Sequence, residues 1–444
     1  MADKRWIGAA LDVAQSDSIA FSLDWAQNDT VTLTINNQAI TITLGSTVDT
    51  AAEVASAVAE VINSQSHQPA DLTADVTTNF GGQEVPEFRD VEASVSSATV
   101  TVVSRSPGVP FTLAVSFSTA GTGTLSHGAQ DVAPTGKNHF DDVDNWESGS
   151  LPAAGDTLVF DHGNVSVLYG LNNAVLDYGV RCTPEYAGEI GLPKVNVGNY
   201  PEYRQRFLVL PCTAATGSHT VDLDGPGSKR IDLGTNTGTP LGTVVRVNGG
   251  QGPGPDGRNV QIVGGGKVSL YALGGSLEVG DHPAETETNI LGYWAFGDCN
   301  VKIGTNTTFE NTGNAVNHNS GKLDFYGTVD GASAIVRIHG GEVTIRPEAE
   351  ILSYMQYGGT VDWRGFGFDE ISIFGGVFDA SKCPYGPTFT ATFLSLFRGS
   401  TYKDPHDALA IPLSFVGCTP ADVHLELRQN LKFSIGAAPS TVIQ

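Results

Sequence analysis

The sequence predicts a mainly β protein: a small N-terminal α+β domain, then a right-handed parallel β-helix, then a C-terminal β-rich cap. Three observations carry this. Charged residues make up only 16% of the 444-residue chain while Gly numbers 53, a mixture that suits short strands and tight turns better than helices. A clean apolar alternation over residues 31–44 gives way to a helical stripe. Beyond residue 240 a glycine-doublet template recurs at near-constant spacing. A chain of this length exceeds one compact core, so several domains are expected.

In "VTLTINNQAITITL", Val31, Leu33 and Ile35 share one face of a first strand, and Ile40, Ile42 and Leu44 share one face of a second. The segment reads as a hairpin turning at "NNQ". Thr50 and Glu53 then fit a capping box, and Val54, Val58, Val61 and Ile62 fall on one helical stripe that can cover the hairpin. "DVEASVSSATVTVVSRSPGVPFTLAVSF" supplies further strands around the Ser106-Pro107-Gly108 turn. Residues 1–130 therefore read as an α+β anchoring domain, a sheet with one helix packed on it, and no nucleophile, base or ligand cluster lies inside it.

Residues 131–155 read as a linker and entry turn. "STAGTGTLSHGAQDVAPTGK" is rich in Gly, Thr, Ser and Pro, and "DNWESGSLPAAGDTLVF" passes abruptly from an acidic turn into a strand. Residues 156–383 read as the β-helix body. "GGKVSL", "GGSLEV", "SGKLDF", "GGEVTI", "GGTVDW" and "GGVFDA" share one template, and their second glycines are Gly266, Gly275, Gly321, Gly341, Gly359 and Gly376. The last four are separated by 20, 18 and 17 residues, the interval that one rung needs. Stacked rungs would place Leu323, Val343, Val361 and Phe378 in one core column and Phe325, Ile345 and Trp363 in a second. The short interval between Gly266 and Gly275 suggests two turns within one rung. The alternative body is an antiparallel β-sandwich, but its turns would recur roughly every 8–12 residues, about half the interval seen. A parallel crossover should be right-handed. In residues 384–444 the template stops and longer runs such as "FTATFLSLF" take over, so this region reads as a separate cap or assembly element that closes one end of the stack.

The order "INNQAITITL…TAAEVASAVAEVINSQ…VTVVSRSPGVPFTLAV" resembles small modules found in tailed-bacteriophage structural proteins, and the likeness covers most of the N-terminal domain. The Asn-Trp…Pro…Gly-Asp turns look like the entry coils of β-solenoid proteins. "VLYGL…GEIGLPKVNVGNYPEYRQRFLVL" resembles a segment of tailed-phage virion proteins. The resemblance implies a virion structural protein assembled in the host cytoplasm, with a capsid-decoration or head-fibre role ahead of others. It implies self-association, most simply as a trimer, and contact with other virion proteins such as the major capsid protein or tail proteins. Two alternatives stand beside it. One is a receptor-binding tail fibre or spike that recognises a host glycan, with Tyr326, Tyr354, Tyr357 and Trp363 as aromatic surfaces. The other is a polysaccharide depolymerase.

Chemistry is sparse. The chain carries 48 acidic against 24 basic residues, and a net charge of −24 repels phosphate backbones, so no nucleic-acid partner is expected. No apolar run reaches the ~20 residues that span a bilayer, and Asp12 interrupts the apolar start, so neither a membrane span nor a signal peptide is expected. Five dispersed cysteines (Cys182, Cys212, Cys299, Cys383, Cys418) read as buried small hydrophobes in a reducing compartment.

The catalytic candidates are Asp362, Asp369 and Glu370 in "VDWRGFGFDE", beside Trp363 and Arg364, because sugar cleavage needs two carboxylates and an aromatic platform. Against this, Asp362 falls at an outward strand position, where solvated acids are the default. "FDDVDNWE" concentrates Asp141, Asp142, Asp144, Asn145 and Glu147, oxygen ligands of the kind Ca²⁺ takes, without EF-hand spacing. A solvated turn that starts the new domain is the favoured reading over a cation site. "GPGPDG" (Gly252 to Gly257) fits G-x-G-x-x-G formally, but no helix follows it. Asp281, His282 and Glu285 in "DHPAETE" form no wider cluster. No enzyme activity and no cofactor are expected.

Overall fold

The computed structural model describes residues 2–67, 72–80, 85–173, 177–211, 220–234, 243–249, 253–254, 257–264, 268–280, 288–309, 316–329, 335–346, 350–365, 367–383, 393–406, 413–427 and 441–443. Among these the protein is mainly β, with one α-helix and a long parallel sheet of 24 strands.

The hairpin forms as its alternation requires. Thr30–Ile35 and Gln38–Leu44 pair antiparallel, and only Asn36 and Asn37 make the turn, both at positive φ, so Gln38 belongs to the second strand. The helix Ala51–His67 opens on the expected box: the Thr50 amide donates to Glu53 Oε2 at 3.0 Å and the Glu53 amide donates to Thr50 Oγ1 at 3.3 Å. Its stripe Val54, Val58, Val61 and Ile62 is wholly buried against the apolar hairpin residues. The module differs from a single sheet with a helix on it. Ser16–Ser22, Val91–Ser96, Thr99–Ser104 and Thr124–His127 form a second four-stranded antiparallel sheet, and the helix clamps onto Val91–Ser96 through paired Asn63–Ala93 hydrogen bonds of 2.9 Å each.

The first residues do not belong to that module, although the sequence reading grouped 1–130 together. Asp3–Arg5 pairs parallel with Thr157–Phe160 and covers the edge of the large sheet. Trp6 then meets Trp146 edge-on at 5.3 Å and pins this strand over the entry turn. The reason is local: Lys4 and Trp6 share one face of the strand, and on the other face the Arg5 guanidinium donates to Asp161 at 2.9 Å and to Glu147 at 3.0 Å.

In the body each segment pairs parallel with the one a pass earlier, so the glycine doublets do not join antiparallel neighbours as a sandwich would require. Among the described residues after 157, the antiparallel pairings are the Pro253–Gly254/Gly257–Arg258 hairpin, the Val195–Pro201 bridge and Thr441–Ile443. From residue 335 onward every pass carries two short strands meeting at a glycine corner. The first ladder runs Ile335–Ile338, Glu350–Gln356, Gly367–Ile373, Phe393–Leu396, Leu413–Phe415. The second runs Glu342–Ile345, Thr360–Trp363, Gly376–Asp379, Ser400–Asp404, His424–Leu427. Residues 393–427 thus continue both ladders, where the sequence reading placed a separate element from 384. The doublet is missing from these passes, but the apolar alternation that drives pairing persists. Of this stretch, Thr441–Ile443 is the strand that turns antiparallel across the last pass.

Leu323, Val343, Val361 and Phe378 stand in register as one buried column, and Phe325, Ile345 and Trp363 as the next. Gly275, Gly321, Gly341, Gly359 and Gly376 all have positive φ. Gly266 lies outside the described residues, and Val268–Val279 is one continuous strand.

Candidate functional site

Residues that alternate with the core columns point outward, and the two ladders present opposite chemistries. On the second ladder the outward column reads Glu278, Lys302 and Asp324, then Thr344, Asp362 and Asp379, then Lys403 and Glu426. This is a solvated charge ladder, laced by Lys302–Glu278 at 2.9 Å, Lys322–Asp324 at 3.0 Å and Lys403–Glu426 at 3.0 Å.

On the first ladder the outward column reads Tyr271, Trp294 and Asn317, then Arg337, Met355, Ser372 and Ser395. Beside it, the residue just ahead of each corner forms a second line. Leu273, Phe296, Asn319 and His339 lead into Tyr357, Phe374, Phe397 and Val416. Neither line contains an Asp or Glu. Backbone bonds hold the corner residues in line: the Tyr357 amide donates to the Ile338 carbonyl at 2.7 Å, that of Phe374 to Gln356 at 2.7 Å and that of Phe397 to Ile373 at 3.1 Å.

The corner rings stack in succession. His339 and Tyr357 have centroids 4.8 Å apart with planes 7° off parallel; Tyr357 and Phe374 repeat this at 4.8 Å and 5°; Phe374 and Phe397 lie 4.3 Å apart. One strand spacing sets the ring spacing, so the corner residues from His339 to Val416 span about 19 Å at ~4.8 Å per pass. Their apolar surface is not hidden: Phe296 is 56% exposed, Tyr357 43% and Leu273 42%. Rings stacked face to face use up their faces on one another and turn their edges to solvent.

The structure disperses the catalytic candidates. Asp362 is held by the Arg364 guanidinium and by Lys382 Nζ at 3.2 Å. Against the opposing effect of desolvation, these cations hold its carboxyl below the usual aspartate range. A general acid for sugar cleavage needs the reverse. Glu370 is exposed on the other ladder, aligned with Ser353 and Phe393, and the Asp369 side chain lies outside the described residues. Trp363 is no platform: it is wholly buried, edge-on to Tyr354 at 5.6 Å and stacked on Phe378 at 5.8 Å. Tyr354 is equally buried, and Tyr326 lies under the Arg346 guanidinium at 5.3 Å.

The acidic entry turn also has other work. Asp141 faces His139 at 3.5 Å, Asp142 Oδ1 accepts from the Asp144 amide at 3.1 Å, and Glu147 pairs with Arg5 at 3.0 Å. Asn145 is buried, and its amide donates to the Gly136 and His139 carbonyls. The carboxylates therefore diverge, and among the described residues no three His, Cys, Asp or Glu side chains converge as a metal site. Gly252 and the Asp281, His282, Glu285 group lie outside the described residues. Of the cysteines, Cys182 and Cys299 are buried and Cys383 and Cys418 half-buried; Cys212 lies outside the described residues.

A cleft of about 510 Å³ lies between module and body, with Arg89, Asp90 and Arg105 on one side and Tyr169, Glu202 and Arg204 on the other. Its polar groups engage each other. Arg204 grips Glu202 at 2.7 and 2.8 Å and sits over the Tyr169 and Tyr203 rings. Tyr203 donates to the Pro110 carbonyl at 3.0 Å, and Tyr200 donates to Asp90. Burial raises the Asp90 pKa. The cleft is a joint that ties module to body.

The sequence reading singled out Tyr357 alone from the corner line and missed Phe296, His339, Phe374 and Phe397. The signal is present: "AFGD", "IHGG", "QYGG" and "IFGG" each put a ring directly before the corner. Comparison with known protein families and with characterised proteins finds no match for this chain.

Proposed function

We propose that this chain is a structural component of a tailed-phage virion, a decoration or head-fibre protein without a reactive centre. Its body is a right-handed parallel β-helix, and the N-terminal module docks onto the particle while the body projects or lies across neighbours. Self-association, most simply as a trimer, stabilises the arrangement. One observation carries the reading: an acid-free line of stacked rings runs along a rigid parallel stack whose other outward ladder is charged. Monomeric soluble proteins rarely leave aligned apolar side chains such as Tyr357, Phe374 and Val416 uncovered. The two alternatives lose support from the same geometry. A glycan receptor needs ring faces open to sugar C–H groups, and these rings present edges. A depolymerase needs an acid poised to donate, and Asp362 is held ionised by two cations.

The test is proteomics of purified particles together with the native mass of the isolated chain. A stoichiometric particle protein that is oligomeric in solution is expected. A monomer absent from particles would overturn the proposal.

A further inference from the structure

We infer that the corner line is the contact through which a second copy of this chain docks, with the two stacks side by side and their axes parallel. The inference rests on the scaffold reading above and adds the surface and the register. Three features favour a second copy over any other occupant. The first is charge. The chain carries a net charge of −24, so two copies repel over most of their surfaces, yet the corner line and the outward column beside it hold no acid at all. Along this strip copies touch without carboxylate–carboxylate repulsion, Arg337 being the one Lys or Arg in the two lines.

The second is periodicity. Side chains repeat at one strand spacing from His339 to Val416, five passes spanning about 19 Å at ~4.8 Å each, while the register shifts at Leu273 and Phe296. An irregular surface meets such a line at a few points, whereas another stack with the same spacing meets it at every pass. The third is polarity along the line. Asn319 and His339 lie together towards its middle, with apolar residues at both ends. Parallel copies in register set the Asn319 amides and the His339 rings against their own kind, where each can hydrogen-bond. Antiparallel copies would set Asn319 against Phe374 and leave a buried amide without a partner. The ring edges turned outward suit this contact, because edges of one ladder can insert beside those of the other.

The experiment is native mass spectrometry and light scattering of the full chain, wild type against Phe374→Glu and Tyr357→Glu, with Thr344→Glu on the charged ladder as the control. Wild type and Thr344→Glu are expected to be oligomeric. Each ridge variant should weaken association by about a hundredfold or more, because it places like charges in contact. Circular dichroism confirms that the variants fold; should either fail, Phe296→Ser at the far end of the line serves instead. Register is read from Tyr357→Cys, which should crosslink to the same position in the second copy under mild oxidation, while the parent chain does not. An oligomer that survives both ridge charges overturns this interface and leaves the scaffold reading standing. A wild-type monomer overturns the docking inference outright. A monomer that binds oligosaccharides through Tyr357 in saturation-transfer NMR would overturn the inference and the scaffold reading together.

Discussion

Gly359 stacks directly on Gly341: a Cβ placed on Gly359 would lie 2.5 Å from the Gly341 carbonyl oxygen. The same holds one pass earlier, where a Cβ on Gly341 would lie 2.3 Å from the Gly321 carbonyl. Two requirements therefore meet at Gly341 and Gly359, a positive φ and a close backbone approach. Gly359→Ala is expected to cost about 3 kcal/mol or more, since backbone cannot yield as a side chain can. Gly399 shares the positive φ but has open space around it, so Gly399→Ala should cost only about 1 kcal/mol. Chemical denaturation of the two variants checks this. Equal losses would mean that the stacking contributes nothing.

Asp362 is expected to act as a structural acid. Its folded-state pKa is depressed by Arg364 and Lys382, so its stabilisation is present above the ordinary aspartate pKa of about 4 and is lost as pH falls through the folded value. Asp362→Asn should cost about 1 kcal/mol at pH 7 and progressively less as pH falls below about 4. Denaturation midpoints at pH 7 and below about pH 4 decide it.

His318 is wholly buried, with Nδ1 3.1 Å from the Tyr293 hydroxyl, and burial pushes its pKa down to about 4. The unfolded chain binds that proton near pH 6.5, so stability is full above about 6.5 and falls as pH drops towards 4. The loss should be on the order of 2–3 kcal/mol. His318→Gln should flatten the profile across this window. An unchanged slope would show that another group causes it.

The joint between module and body predicts its own pH signature. Tyr200→Phe removes a donor from Asp90, whose charge is already costly to bury; the Asn36 amide at 3.3 Å remains. The penalty should be about 1–3 kcal/mol at pH 7 and should shrink at low pH, where Asp90 is protonated in wild type and variant alike. Hydrogen exchange at residues 85–110 and 190–204 should report the loosening. Unchanged protection would mean that the contact does not hold the module.

The parallel ladder is legible in the sequence because Gly321, Gly341, Gly359 and Gly376 are required twice over, by φ and by stacking, and their spacing survives as a pattern. The core columns from Leu323 and Phe325 follow from strand alternation alone. The pairing of Asp3–Arg5 with Thr157–Phe160 is not legible: three residues carry no period, and their partner lies some 150 positions away. The passes through Phe393–Leu396 and Ser400–Asp404 escape notice because Arg398-Gly399 replaces the doublet. The ridge escapes for a different reason. Its members lie one per pass, so His339, Tyr357, Phe374 and Phe397 look isolated until the passes are laid side by side.

Electron cryomicroscopy of purified particles tests the scaffold role most directly. The expected density shows this chain at fixed sites on the particle, anchored by residues 16–127, with the line from Leu273 to Val416 covered by a neighbouring copy. Particles that lack the chain, or bodies that stand alone with that line open to solvent, would contradict it.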